Sequence, residues 1–310
     1  MPNWLIKAAL QRGISWLPFS HQCNAFFQKH VTRSIQLTED KFQYRVGLCG
    51  KYVRALDRFY QGAKTGFTAV EVGTGWYPVV PIGLFLRGAD SVRCFDIAQH
   101  VNCGRVIDTV ECFRKAVDQG TLEQTIPGIL PDRLSMLLEI SASSEALDPV
   151  AMLAPLGIDL IVGDACRTGC VDQSVDLIVS SGVLEYIPRD MLVAMFAEFN
   201  RIGKPGYLSA HYLNLVDQYS YFDSKLPPLN FLRFSDRQWR WLDSPLTSLN
   251  RLRISDYRAL FEQAGLDVVH EENTLGSEAD LDRVPLATAF QHYAREDLLV
   301  HLSIMVARGR

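Results

Sequence analysis

The sequence predicts an α/β protein: a seven-stranded, mostly parallel sheet with helices on both faces, preceded by an N-terminal helical cap. Three observations carry that expectation. From Gly66 onward, short β-branched runs alternate with helical patterns, the texture of parallel strands joined by helical crossovers. The first such run leads into "AVEVGTGWYPVV" (69–80), where two glycines one residue apart separate a strand from a helix. Before Gly66 the periodicity is helical. A chain of 310 residues holds one large domain or two small ones around a substantial core.

Taken in order, residues 1–20 carry Trp4, Leu5, Ala8, Ala9 and Ile14 at helical spacing, interrupted by Lys7 and Arg12. No run there approaches a membrane span, so a helix packed on the main domain is expected, without stable membrane insertion. A second helix opens at Thr38, a residue type that caps, and runs through "EDKFQYRVGLCGKYVRALDRFY". Strands follow at 67–72, 91–97, 158–164, 175–181, 206–212, 266–271 and 299–307. The first helix of the sheet region is expected over 78–87, because proline is tolerated in a first turn. The expected division is a cap over 1–65 and a main domain over 66–310. Residues 98–157 form an insert with helical patterns, too long for a simple crossover. Residues 213–255, aromatic-rich and broken by Pro227-Pro228, form a lid-like segment whose aromatics also suit a satellite core.

Composition narrows the partners. The formal charge of −4 argues against a general nucleic-acid footprint, and 48% hydrophobic with 21% charged residues is ordinary for a globular protein. Seven scattered cysteines read as reduced thiols in a cytoplasmic protein. Cys166 and Cys170 stand four apart with no second pair, so no metal site is expected. Homodimerisation is compatible with the sequence.

The glycine stretch carries the chemistry. Gly73 and Gly75 lack a β-carbon, so the turn can be tight and a ligand can lie against it. The helix N-terminus that follows favours a carboxylate or phosphate. Glu71, two residues earlier, would repel a pyrophosphate but suits an ammonium group, and Pro78 stands where a dinucleotide site wants a third glycine.

"VEVGTGW" resembles the first motif of class I S-adenosylmethionine-dependent methyltransferases, with Tyr77 where a further glycine is common. "CFDI" places Asp96, with Ile97, at the family's ribose-binding position; a carboxylate accepts two hydrogen bonds from a vicinal diol. "VGDAC" places Asp164 and Ala165 at the adenine edge, although an Asx turn would explain that aspartate equally. "SVDLIVSSGVLEYIP" resembles the fourth-strand motif, with Ser180 and Ser181 near the cofactor. The likeness covers roughly 66–310 and implies a Rossmann-like fold with S-adenosyl-L-methionine bound by Glu71, Gly73, Thr74, Gly75, Asp96, Ile97, Asp164, Ala165, Ser180 and Ser181. The segments "SWLPFSHQCNAFFQKHVTRS" and "LNFLRFSDRQWRWLDSPLTSLNRLR" resemble bacterial enzymes of surface-glycan and small-molecule biosynthesis.

At the end of the fifth strand, His211 is the candidate base for a substrate hydroxyl. Tyr77, Asp217 and Tyr219 are candidates for binding the acceptor, with Asp223 behind them. Trp76 and Tyr77 suit either packing or a place beside a sulfonium. Glu185 and Tyr186 read as surface residues of a first helical turn. The expected reaction is methyl transfer to a hydroxyl of a small polar acceptor, a sugar or secondary metabolite. N-methylation and a non-catalytic binding module are the alternatives.

Overall fold

The computed structural model describes residues 36–140, 148–243 and 249–310; the amphipathic stretch at 1–20 and Cys23 lie outside the described residues. Helix α1 (Glu39–Phe59) buries Phe42, Val46, Cys49, Val53 and Leu56, three or four residues apart, as one apolar stripe. Glu39 and Asp40 in its first turn and Arg58 in its last suit the helix dipole. Thr38 occupies the cap position, but its hydroxyl makes no capping bond.

Strand β1 (Phe67–Val72) leads through the glycine turn into α2 (Val79–Arg87), which Gly88 ends in the left-handed conformation. After β2 (Ala89–Asp96), the insert folds into α3 (Cys103–Asp118), α4 (Leu122–Thr125), α5 (Pro131–Ile140) and α6 (Pro149–Leu153). The chain continues as β3 (Ile158–Val162), β4 (Val175–Ser181), α7 (Arg189–Ile202) and β5 (Gly203–Asn214). It finishes with α8 (Asp236–Leu242), α9 (Ile254–Gln263), β6 (Asp267–Leu275), α10 (Glu278–Asp282), α11 (Arg295–Leu299) and β7 (Val300–Arg308).

All seven expected strands form one sheet in the order β3-β2-β1-β4-β5-β7-β6. The first five run parallel, and β7 lies antiparallel to both neighbours. The order reverses between β1 and β4, and ligands of open α/β sheets bind beyond the carboxyl ends of strands at such a point.

Two apolar layers cover the sheet. One packs α1, α2 and α3 against Ala69, Leu177, Val179 and Tyr212; the other packs α7 and α9 against Val70, Ile178 and Met305. A third cluster gathers Tyr219, Phe231 and Trp239 with Leu281, Phe290 and Leu298, so the aromatics of the 213–255 segment do fill a satellite core.

Tyr52 within α1 and Tyr60 just past its end set its direction. The Tyr60 hydroxyl donates to Asp176 at the start of β4. The Tyr52 hydroxyl donates to the Ser180 carbonyl, 2.7 Å away, at the strand's far end. Eight helical residues span about 12 Å and four strand residues about 13 Å, so the match is close and α1 runs antiparallel to β4. Its first turns therefore project past the carboxyl edge of the sheet.

Candidate active site

The glycine turn is held from two sides. The Gly73 amide donates to the Phe95 carbonyl at 2.7 Å, and the Gly75 amide to Asp96 Oδ2 at 2.9 Å. Both glycines have positive φ, 77° and 69°. Their reasons differ. A β-carbon on Gly73 would lie 2.3 Å from Val183 Cγ2, whereas one on Gly75 would meet nothing nearer than Arg45 Nη2 at 3.9 Å. Gly73 is demanded by packing; Gly75 faces open space.

Behind the turn, Glu71 is 1% exposed, and its Oε2 has no hydrogen-bond partner. The buried Thr74 hydroxyl makes no hydrogen bond of ordinary geometry, but it lies close enough to Glu71 to oppose the upward shift of that carboxyl. Burial pushes Glu71 up to about 7, against the pull of the Arg45 guanidinium. The Glu71 oxygen left without an ordinary hydrogen bond, buried beside an open turn, is costly unless something binds there. Asp96 lines a cleft with Thr74, Gly75, His100, Leu160 and Val162, and Ile97 beside it is 80% exposed. Asp164 is exposed and accepts the Cys166 amide at 2.8 Å, the expected Asx turn, while Ala165 packs against the α7 layer.

Alternation along the strands sorts the remaining candidates. Successive side chains point to opposite faces. Ser181 and Tyr212 face α1, where the Ser181 and Tyr52 hydroxyls lie 2.9 Å apart. Ser180 and His211 face the other way and bond each other, Ser180 Oγ to Nδ1, at 2.8 Å. The other imidazole nitrogen meets Ser209 Oγ at 2.6 Å, and Phe196, Phe199 and Phe261 surround the ring. His211 is fully buried, and burial drives it down to about 3. His211, expected as a base, and Ser180, expected at the cofactor, are both fully buried on the α7 and α9 side of the sheet.

The three acceptor candidates are likewise buried. Tyr77 is buried in the α1 layer. Asp217 is fully buried, accepting the Tyr219 amide at 2.9 Å and the Asn230 side chain at 3.3 Å. Tyr219 belongs to the satellite core, and Asp223 accepts the Lys225 amide in its own turn. The Trp76 ring carries the Arg105 guanidinium 4.5 Å from its centroid.

Sequence reasoning missed Glu185. It sits in a 3₁₀ turn, Leu184–Tyr186, and is 3% exposed rather than a surface residue. Its Oε2 has no partner, and burial pushes it up to about 8. A β-carbon on Gly182 would lie 3.4 Å from Glu185 Oε1 and 3.9 Å from the Tyr212 ring, so acid and phenol converge at the end of β4. The Tyr44 and Tyr212 rings meet edge to face at 5.7 Å and border a groove of about 380 Å³ between α1 and β5, β6 and β7. A signal existed in the alternation: Tyr212 is His211's neighbour and must point to the opposite face. Among the described residues, no group of three His, Cys, Asp or Glu is placed to hold a metal ion.

Strand order, glycine turn and the two acids suit a methyltransferase that uses S-adenosyl-L-methionine. A family model described as "Methyltransferase domain" matches residues 125–209, about a quarter of the chain, beginning after the glycine turn. Among curated proteins nothing matches. A chain from the complex between the Haloferax volcanii Trm112 methyltransferase activator and a methyltransferase is 18% identical over 87% of this chain and 92% of that one, TM-score 0.46. A Mesorhizobium loti S-adenosylmethionine-dependent methyltransferase is 14% identical over 83% and 95%, TM-score 0.43. The Streptomyces coelicolor geranyl diphosphate C-methyltransferase is 12% identical over 83% and 78%, TM-score 0.45. No helix among the described residues is long and apolar enough to cross a membrane.

The residues fit the cofactor. The unpartnered Glu71 oxygen and Thr74 hydroxyl suit an ammonium group, Gly75 leaves room above the turn, and Asp96 offers a carboxylate to a diol.

Proposed function

We propose that this chain methylates a hydroxyl of a small polar acceptor, with Glu185 taking the hydroxyl proton. The single observation that carries the reading is the buried Glu185 oxygen without a hydrogen-bond partner, just past the carboxyl end of β4 and near the Tyr212 ring. When bound, the cofactor supplies an electrophilic methyl group on a sulfonium. The chain's own contribution is to hold the acceptor in line and at short range, which can supply much of the acceleration. Glu71, Thr74, Gly75 and Asp96 orient the cofactor side. Tyr44, Tyr212 and the groove they border suit an acceptor with hydroxyl and ring faces.

Glu185 then adds base catalysis, typically about 10²–10⁴-fold, and a group poised near 8 is suited to that work. The 213–255 segment is tied to the same turn: the Asn250 amide donates to the Glu185 carbonyl at 2.8 Å, and Asn250 Nδ2 to the Leu184 carbonyl at 2.8 Å. In this reading the described part of that segment covers the acceptor, and α1 caps the site. All six described cysteines are free, which suits a reducing cytoplasm.

The test is incubation of methyl-labelled cofactor and purified protein with an extract of the source organism, followed by identification of the labelled atom. An O-methyl product, formed at least about 100-fold more slowly by Glu185→Gln, is expected. A labelled nitrogen would move the reading to an N-methyltransferase, and binding without any product would make the chain a cofactor-binding module.

A further inference from the structure

The recognition surface described so far leaves one charge of the cofactor unanswered. Glu71 and Thr74 suit its ammonium and Asp96 its diol, but the amino-acid end also carries a carboxylate. The N-terminus of α2 offers little to an anion: Pro78 has no amide hydrogen, the Val79 amide donates to the Tyr77 carbonyl at 2.9 Å, and the Gly75 amide is spent on Asp96. A nearby cation would answer that carboxylate more strongly than the amides that are left.

Helix α1 brings one. Arg45 lies two turns before Tyr52 on the same stripe, and seven residues carry it about 10 Å beyond the end of β4. It is half-buried, makes no hydrogen bond or ion pair with any described residue, and places Nη2 3.9 Å from the open position above Gly75. A half-buried guanidinium that feels the charge of Glu71 but makes no hydrogen bond among the described residues, aimed over an open turn, is an incomplete ion-pair site.

We propose that Arg45 binds the carboxylate of the cofactor's amino-acid end, opposite Glu71, so that α1 forms one wall of the cofactor site. This rests on the cofactor reading above. The planar fork of arginine matches a carboxylate with two parallel hydrogen bonds, which a lysine in its place would not reproduce.

Calorimetric titration of the native protein, Arg45→Gln and Arg45→Lys with S-adenosylhomocysteine and with its decarboxylated analogue tests the assignment without any acceptor. The native protein should prefer the carboxylated ligand by about 10- to 100-fold. Arg45→Gln should lose that preference while binding the decarboxylated analogue as the native protein does, and Arg45→Lys should keep part of it. An undiminished preference in Arg45→Gln overturns the proposal. Equal weakening of both ligands also overturns it, since that marks a displaced helix. A native protein that binds neither ligand removes the cofactor reading itself, a result distinct from the other two.

Discussion

The two glycines of the turn are set apart by what surrounds them, and substituting each separates a packing requirement from a binding one. Alanine at Gly73 meets Val183 Cγ2 at 2.3 Å and adopts a φ of 77°. The left-handed conformation costs about 1–2 kcal/mol and the overpacking about 1–3 kcal/mol, so a loss of about 2–5 kcal/mol is expected. Unfolding entropy of about 2.1 cal/mol/K per residue makes each kcal/mol worth about 1.5 °C for a chain of this length, and Tm should fall by about 3–8 °C. Gly75→Ala carries only the backbone strain and should lower Tm by about 2–3 °C. Its methyl group projects over the open turn, however, so S-adenosylhomocysteine should bind at least about tenfold more weakly.

The cycle closes with Val183→Ala. With that side chain shortened, Gly73→Ala should cost only the strain, about 1–2 kcal/mol. Scanning calorimetry of the native protein, the two single variants and the double variant reads the difference directly. A Gly73→Ala penalty that is the same in the native background and in the Val183→Ala background would refute the packing argument.

Three further outcomes follow from buried titrating groups. His211→Asn should lower the denaturation midpoint while leaving turnover per folded molecule unchanged. Because the folded imidazole is held down to about 3, the unfolded chain takes its proton first, so native stability falls as pH drops below about 6.5; the variant's acid limb should be shallower in urea melts. Glu185 works in the opposite sense. Its pKa, raised to about 8, means the unfolded chain ionises first, so stability is lost as pH rises from about 4.5 to 8, and Glu185→Gln should flatten that slope. Glu71, raised to about 7, binds an ammonium group only as the carboxylate, so S-adenosylhomocysteine affinity should increase as pH rises through 7; a flat calorimetric profile would exclude Glu71 as the partner.

Strand existence and type, the glycine turn, and the acids Glu71 and Asp96 were legible in the chain because each is a local pattern. A buried parallel strand needs a continuous apolar run, a tight turn needs residues tolerant of positive φ, and an acid at a strand's end stays at that end. The expected strand at 67–72 is β1 as found, and the expected helix at 78–87 differs only in that Pro78 precedes the first helical residue. Charge and cysteine usage were likewise properties of composition alone.

The tertiary structure decided which chemical groups meet. His211 and Tyr212 are neighbours in sequence, yet the pleat sends one into a phenylalanine cage and the other to the α1 side, and only the packing of α7 and α9 tells which face is closed. Glu185 reads as a surface residue until Asn250, far along the chain, folds over its turn. Arg45 becomes a neighbour of Gly75 because α1 runs antiparallel to β4 and overshoots the sheet. A local pattern is written in the backbone preferences of a few adjacent residues, whereas burial and encounter depend on chain segments far apart, and those are settled only when the layers pack.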